Sequence, residues 1–230
     1  MKRHLGMRPT LLFRLWCRTT LLAALVGAAS CTAQAAELRG FASPGPMGVI
    51  LFQACQGKAL VPAVTQIEDA TPESALSAGL NAVAQIMLER GRPIYVEFSG
   101  TPSGKGVKAT RFSRAMGTLA SCEAASTELS AGARLWAGGQ EPPWQLVVTA
   151  REARFERPAE KPVRFPAGPF AAAAGPGPRT IDAWSQLDGG TVRLELDEAM
   201  CTDGRSETAY GARATLRYGS RTYEGCAARF

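Results

Sequence analysis

Histidine is almost missing from this chain. The one histidine in 230 residues is His4, inside a segment expected to be removed. Beyond it no Ser-His-Asp or Cys-His triad can be assembled, and no histidine-ligated zinc site. Long apolar runs are missing as well. The stretch Leu21 to Ala29 is well short of the ~20 residues that cross a bilayer as a helix. A surplus of one charge is missing once the opening segment is set aside. That segment carries Lys2, Arg3, Arg8, Arg14 and Arg18 and no acid. Five of the 26 basic residues therefore lie in it, and all 20 acids follow it, which leaves 21 cations against 20 anions. The formal charge of +6 is mostly a property of the leader. The remainder gives no electrostatic case for nucleic-acid binding. A G-x-S-x-G elbow is missing too. The glycine-rich Ser99 to Gly106 lacks the G-x₄-G-K-[ST] order of a phosphate loop and reads as a hairpin turn.

What is present starts with an export signal. Residues 1–35 combine a basic start, a short apolar run and a small-residue ending. Two processing routes are open. Ala33-Gln34-Ala35 is an A-x-A site that would release a soluble protein starting at Ala36. Ala28-Ala29-Ser30-Cys31 resembles a lipobox, which would make Cys31 a lipidated first residue. The expected location is the bacterial periplasm, soluble or lipid-anchored. Membrane contact is expected only through such an anchor.

Of six cysteines, Cys17 and Cys31 fall in the leader. Cys55, Cys122, Cys201 and Cys226 remain. An oxidising compartment favours bridges over thiols. None of the spacings is C-x₂-C, so a four-cysteine metal site is disfavoured and no cofactor is expected.

Roughly 195 residues after the leader suffice for one domain or two small ones. Short strands with turn signals dominate. The sequence predicts strands over Gly48–Ala54, Pro93–Ser99, Trp144–Ala150 and Thr191–Asp197. A final hairpin is predicted from Ala212–Tyr218 and Arg221–Cys226, turning at Tyr218-Gly219-Ser220-Arg221. One helix is predicted over Pro72–Arg90, capped by Thr71, with Leu76, Leu80, Val83, Ile86 and Met87 on its apolar face. The Ala-Gly-Pro stretch from Ala167 to Pro178 reads as a long exposed loop. Arg151 to Arg164 alternates Arg and Lys with Glu, as a solvated face or strand edge does.

The expected class is mainly β, with two small β-rich, barrel-like domains, the first with one packed α-helix. A β-rich domain is expected over 38–123, a connector over 124–140 and an all-β domain over 141–230. Four cysteines allow three pairings. The one that respects this boundary is Cys55–Cys122 with Cys201–Cys226. The second would close a loop of about 25 residues, a stabilisation on the order of 3 kcal/mol in the chain-entropy treatment.

The C-terminal half carries Gly139-Gln140-Glu141-Pro142-Pro143-Trp144. It then carries Cys201-Thr202-Asp203-Gly204-Arg205-Ser206, Tyr210 and Gly225-Cys226. In this it resembles a family of uncharacterised bacterial envelope proteins and lipoproteins, marked by Gly-Asn-Glu-Pro-Phe-Trp and Cys-x-Asp-x-Met-Ser…Tyr…Gly-Cys. Pro143 stands where the family has Phe, and Arg205 where it has Met. The N-terminal half is more loosely similar to the NlpE-like copper-responsive lipoproteins. Phe52-Gln53-Ala54-Cys55-Gln56-Gly57, Leu60 to Val64 and Pro93 to Gly100 carry that likeness. Their Cys-x-x-Cys is reduced here to Cys55, so copper binding does not transfer. The resemblance implies an envelope location, a barrel-like C-terminal unit and paired cysteines, and no catalytic activity.

The residues with the chemistry of a ligand site are Glu141, Trp144, Trp184, Asp203 and Tyr210. Indole and phenol rings combine apolar area with a polar tip. The competing structural readings are a barrel-end plug for Trp144 and a disulfide-anchored turn for Asp203. Asp203, Ser206 and Glu207 lack calcium-loop spacing. Glu141 with Asp203 would be the pair of a carboxylate-only hydrolase. The expected function is a non-catalytic exported envelope protein that binds a partner or small ligand, in envelope maintenance or stress sensing. The alternative is a periplasmic inhibitor of a lysozyme or protease, inserting the Ala167–Pro178 loop or the Asp203–Ser206 turn.

Overall fold

A computed structural model describes residues 35–56, 59–87, 92–104, 106–117, 122–123, 132–175, 177–184, 190–203 and 206–230. The expected leader, with its cleavage sites and Cys31, lies outside them. Strands β1 (Ala36–Pro44), β2 (Ile50–Gln56) and β3 (Ala59–Asp69) form an antiparallel meander. Helix α1 (Ala75–Ile86) follows, then the hairpin of β4 (Ile94–Ser103) and β5 (Gly106–Met116). β4 returns to pair with β1, and β5 runs parallel to β3. The order β1-β2-β3-β5-β4 therefore closes into a five-stranded barrel. A closed five-stranded barrel in this order, with its helix between the third and fourth strands, has the connectivity of an OB-fold.

Phe52 and Phe98 meet edge to face inside it, ring centres 5.1 Å apart, among Ile67, Val96 and Phe112. Leu76, Leu80, Val83 and Met87 bring α1 into the same core. Ile86 does not join them and is 40% exposed. The helix ends there, and Met87, already extended, takes the last core contact.

The helix also starts later than the sequence predicts. Pro72–Ser74 form a 3₁₀ turn, and the cap is built from two residues. The Thr71 hydroxyl accepts from the Leu76 N–H at 3.1 Å, and Asp69 Oδ2 accepts from the Ser77 N–H at 2.8 Å. The Asp69 carboxylate also takes the hydroxyls of Thr71 and Ser77 and the Thr71 N–H. Burial works to raise its pKa, but these hydrogen bonds outweigh burial and hold it below the ordinary carboxylate value. A pKa depressed by folding stabilises the fold fully above the unfolded-state value, and the gain fades as pH falls towards the folded one. Asp69→Ala is expected to cost about 1–2 kcal/mol in urea melts near pH 7 and much less near pH 2. An equal loss at both pH values would refute the capping role.

The second sheet is an up-and-down meander. Its strands are β6 (Ala133–Gln140), β7 (Pro143–Thr149), β8 (Glu152–Glu156), β9 (Val163–Pro166), β10 (Arg179–Trp184) and β11 (Thr191–Asp197). Two short strands intervene, β12 (Cys201–Thr202) and β13 (Thr208–Tyr210), before β14 (Ala212–Tyr218) and β15 (Arg221–Arg229). β15 pairs with β6, so eight strands circle from β10 round to β9 in a nearly closed barrel. The 3₁₀ segment Gly168–Ala174 lies between the two edge strands in sequence and sends Phe170 and Ala173 into the core. The exposed loop expected over Ala167–Pro178 is thus a partial plug. Its Ala-Gly-Pro composition hides one anchoring ring, Phe170, which packs 6.3 Å from Phe165.

Two expected boundaries shift. β6 begins at Ala133, inside the expected connector. The second barrel is also not self-contained, because β12–β13 leave it and β13 pairs with β5, Thr208 opposite Met116. The reason lies in strand lengths. β3 covers only Gly106–Ala109 of β5, so the far half of that edge would be left unpaired. β13 fills it at Arg114–Met116. Gly211 follows at a close crossing, where a Cβ would lie 1.9 Å from the Phe112 carbonyl oxygen.

The joint is polar and buried. Ser113 donates through its hydroxyl to the Arg229 carbonyl at 2.5 Å. Arg114 binds Glu97 at 2.8 and 3.2 Å, and the Tyr95 hydroxyl donates to the same carboxylate at 2.5 Å. The Arg114 guanidinium lies 5.2 Å from the ring centre of Phe230. Consequently β4 is buried on both faces from Ile94 to Gly100, although its sequence alternates. Both bridges form as the boundary argument expects, Cys55–Cys122 and Cys201–Cys226.

Candidate functional site

Alternation in the second barrel builds the site. In β6, Leu135 and Ala137 point inward, so Trp136 and Gly138 face outward. In β7 and β8 the same rule turns Gln145 and Glu156 outward and Trp144 and Phe155 inward. The β12–β13 hairpin crosses beside this outer face. Its Tyr210 stacks on Trp136, ring centres 5.0 Å apart and planes 15° from parallel. Between the hairpin and this outer face opens a cleft of about 470 Å³, lined by both rings and by Asp203, Thr208 and Arg157.

Several polar groups at the rim are held. Asp203 accepts from the Ser206 N–H at 2.8 Å and from its hydroxyl at 2.9 Å, the anchored turn read from the sequence. Glu156 receives Arg154 at 2.7 Å and the Gln145 amide. Arg157 lies 5.0 Å from the ring centres of both Phe155 and Tyr218 and pairs with Glu160 at 2.7 Å.

The residues predicted for binding divide. Trp144, Asp203 and Tyr210 line this cleft. Trp144 is nonetheless largely a core residue, its indole N–H donating to the Glu224 carbonyl at 3.0 Å and its ring against Phe155 and Tyr223. Gly139 permits that approach, since a Cβ there would lie 2.6 Å from the indole nitrogen. Glu141 precedes a cis-proline and lines a second, more polar cleft of about 590 Å³ with Arg213 and Glu224. Asp203 and Gln140 border both. Trp184 joins neither. It sits 53% exposed at the end of edge strand β10, because outward positions there face solvent and not the hairpin. Trp136, Gln145 and Glu156 were not foreseen. The alternation of β6 was the available signal, and the Ala- and Gly-rich composition around it obscured it. Among the described residues no group of three or more His, Cys, Asp or Glu could hold a metal.

The first barrel offers less. Oligonucleotide-binding barrels of this connectivity use the β2–β3 face with stacking aromatics and cations. Here that face presents Gln53, Val64, Gln66 and Glu68, with no exposed aromatic or cation among the described residues.

No protein-family model, curated protein or solved structure matches the chain. Of the motif residues read from the sequence, Gly139, Gln140, Glu141, Pro143, Trp144, Cys201, Thr202, Asp203, Ser206, Tyr210, Gly225 and Cys226 line one or other of the two adjoining clefts.

Proposed function

We propose that this is an exported, non-catalytic binding protein of the bacterial cell envelope, which holds a small ligand in the Trp136–Tyr210 cleft. The observation that carries the reading is the way the cleft is made. One wall belongs to the second barrel, and the other is a hairpin hydrogen-bonded into the first and tied back by Cys201–Cys226. A cleft fixed in this way loses little freedom on binding, which favours affinity. Support for export comes from the leader and from two disulfides, which persist in oxidising compartments. A role in envelope maintenance or stress sensing fits the envelope location that the motif resemblance implies. The inhibitor alternative loses one of its two inserting elements, since Phe170 anchors the Ala167–Pro178 segment in the core.

Two measurements test this. The intact mass of protein recovered from its host is expected to start at Ala36 and to rise by about four hydrogens on reduction, two for each bridge; a start at Cys31 with acyl chains would instead make it membrane-tethered. A retained leader would remove the export reading. In a fragment screen followed by indole N–H resonances, hits are expected to shift Trp136 and spare Trp184. Hits scattered without preference for Trp136 would remove the cleft as the site.

A further inference from the structure

We infer that the ligand class of the cleft is a saccharide, an inference that rests on the cleft being the binding site. Three features converge. The first is the state of the strands around it. β6 lies between β15 and β7, β7 between β6 and β8, β8 between β7 and β9, and β13 between β12 and β5. Each of these lining strands is thus paired on both sides, and the neighbouring edge strand β12 is only two residues long. An extended peptide added to a sheet edge would find no edge here, so side chains must do the recognition.

The second is the aromatic wall. Trp136 and Tyr210 are closed on each other at 5.0 Å, so no slot remains for a flat ring to slide between them. A pyranose needs only one aromatic face, against which it lays its C–H bonds. Trp136 and Tyr210 both line the cleft, so the stacked pair as a whole offers it the ring surface that the stack leaves uncovered.

The third is the rim. Gln145, Glu156 and Asp203 are planar side chains, each presenting two polar atoms that can span neighbouring hydroxyls. Their orientations are already fixed, by Arg154 on Glu156, by Glu156 on Gln145 and by Ser206 on Asp203. Ionised carboxylates only accept hydrogen bonds, and a polyol is a dense array of donors. Arg157, placed by two rings and by Glu160, adds a cation to the cleft lining. The volume of about 470 Å³ falls in the range of small-ligand pockets.

The test is an NMR titration of the purified, disulfide-bonded protein with tri-N-acetylchitotriose, cellotriose and maltotriose, following the indole N–H signals. Tryptamine and the dipeptide Gly-Phe serve as flat-ring and peptide probes. The expected result is a saturable shift of Trp136 by at least one trisaccharide, with Trp184 unmoved. Trp184 is the internal control, because nonspecific sugar–indole contact would move this exposed ring first. Gln145→Ala, an outward-facing change away from both cores, is expected to weaken binding ~tenfold, the loss of one good hydrogen bond. If tryptamine or Gly-Phe shifts Trp136 and no trisaccharide does, the saccharide assignment is overturned and the cleft stands. If no probe shifts Trp136, or Trp184 moves equally, the cleft itself fails as the site.

Discussion

Arg114→Met is expected to destabilise the protein by about 3–5 kcal/mol, a large part of the ~5–15 kcal/mol that usually separates folded from unfolded domains. The substitution leaves the Glu97 carboxylate without its guanidinium. That carboxylate side chain is only 5% exposed. It keeps the Tyr95 hydroxyl as a donor, but a single neutral donor does not offset a buried charge. Tyr95 reflects the same environment: burial first, and the neighbouring Glu97 charge second, push its hydroxyl far above the ordinary tyrosine pKa. Arg114 also lies against the ring of Phe230, so its loss loosens the contact between the barrels. The control is Glu97→Leu combined with Arg114→Met. Removing both charges is expected to recover most of the loss, because neither is left unpaired. Urea unfolding of the three proteins measures this. A single variant within about 1 kcal/mol of wild type would show that the pair is not desolvated as the structure has it.

Replacing Cys55 and Cys122 together by serine is expected to cost about 4 kcal/mol, and the corresponding change at Cys201 and Cys226 about 3.5 kcal/mol. The difference follows from loop length, 67 residues against 25, because a longer loop frees more of the unfolded chain when it opens. The Cys55–Cys122 bridge also lies in a small cluster with Phe41 and Tyr95, and Tyr95 links it to the buried Glu97–Arg114 ion pair. Serine there puts hydroxyls into an apolar setting and adds to the loss. Denaturation midpoints of the two double variants in oxidising buffer decide the order. The reverse order would mean that the 25-residue bridge stabilises mainly by holding the β12–β13 hairpin in its folded position.

The sequence was readable where one face of a strand meets water. β11 matches its predicted span of Thr191–Asp197, and β14 and the final turn match as well. Each has a wet face and a dry face, so the period of two survives in the composition. Legibility fails where tertiary pairing decides. β4 alternates in sequence yet is buried on both sides, because its polar face carries the Tyr95–Glu97–Arg114 network and packs against Phe41 and Cys122. β13 is three residues long and carries no periodic signal at all. Its position follows from where β3 stops, which no local pattern records. The site divides along the same line. Trp144, Asp203 and Tyr210 were found through their chemistry, Trp184 was exposed by its place on an edge strand, and Trp136 was hidden in Ala- and Gly-rich surroundings.

The crossing of β13 onto β5 bears on inheritance. A gene fragment ending between the barrels would encode a first barrel with half of one strand edge unpaired at Arg114–Met116. A fragment beginning there would encode a second barrel whose internal hairpin has lost β5, its strand partner. Recombination at that point therefore damages both products. The three-residue strand β13 thus couples the two barrels, and neither is expected to work as a movable cassette.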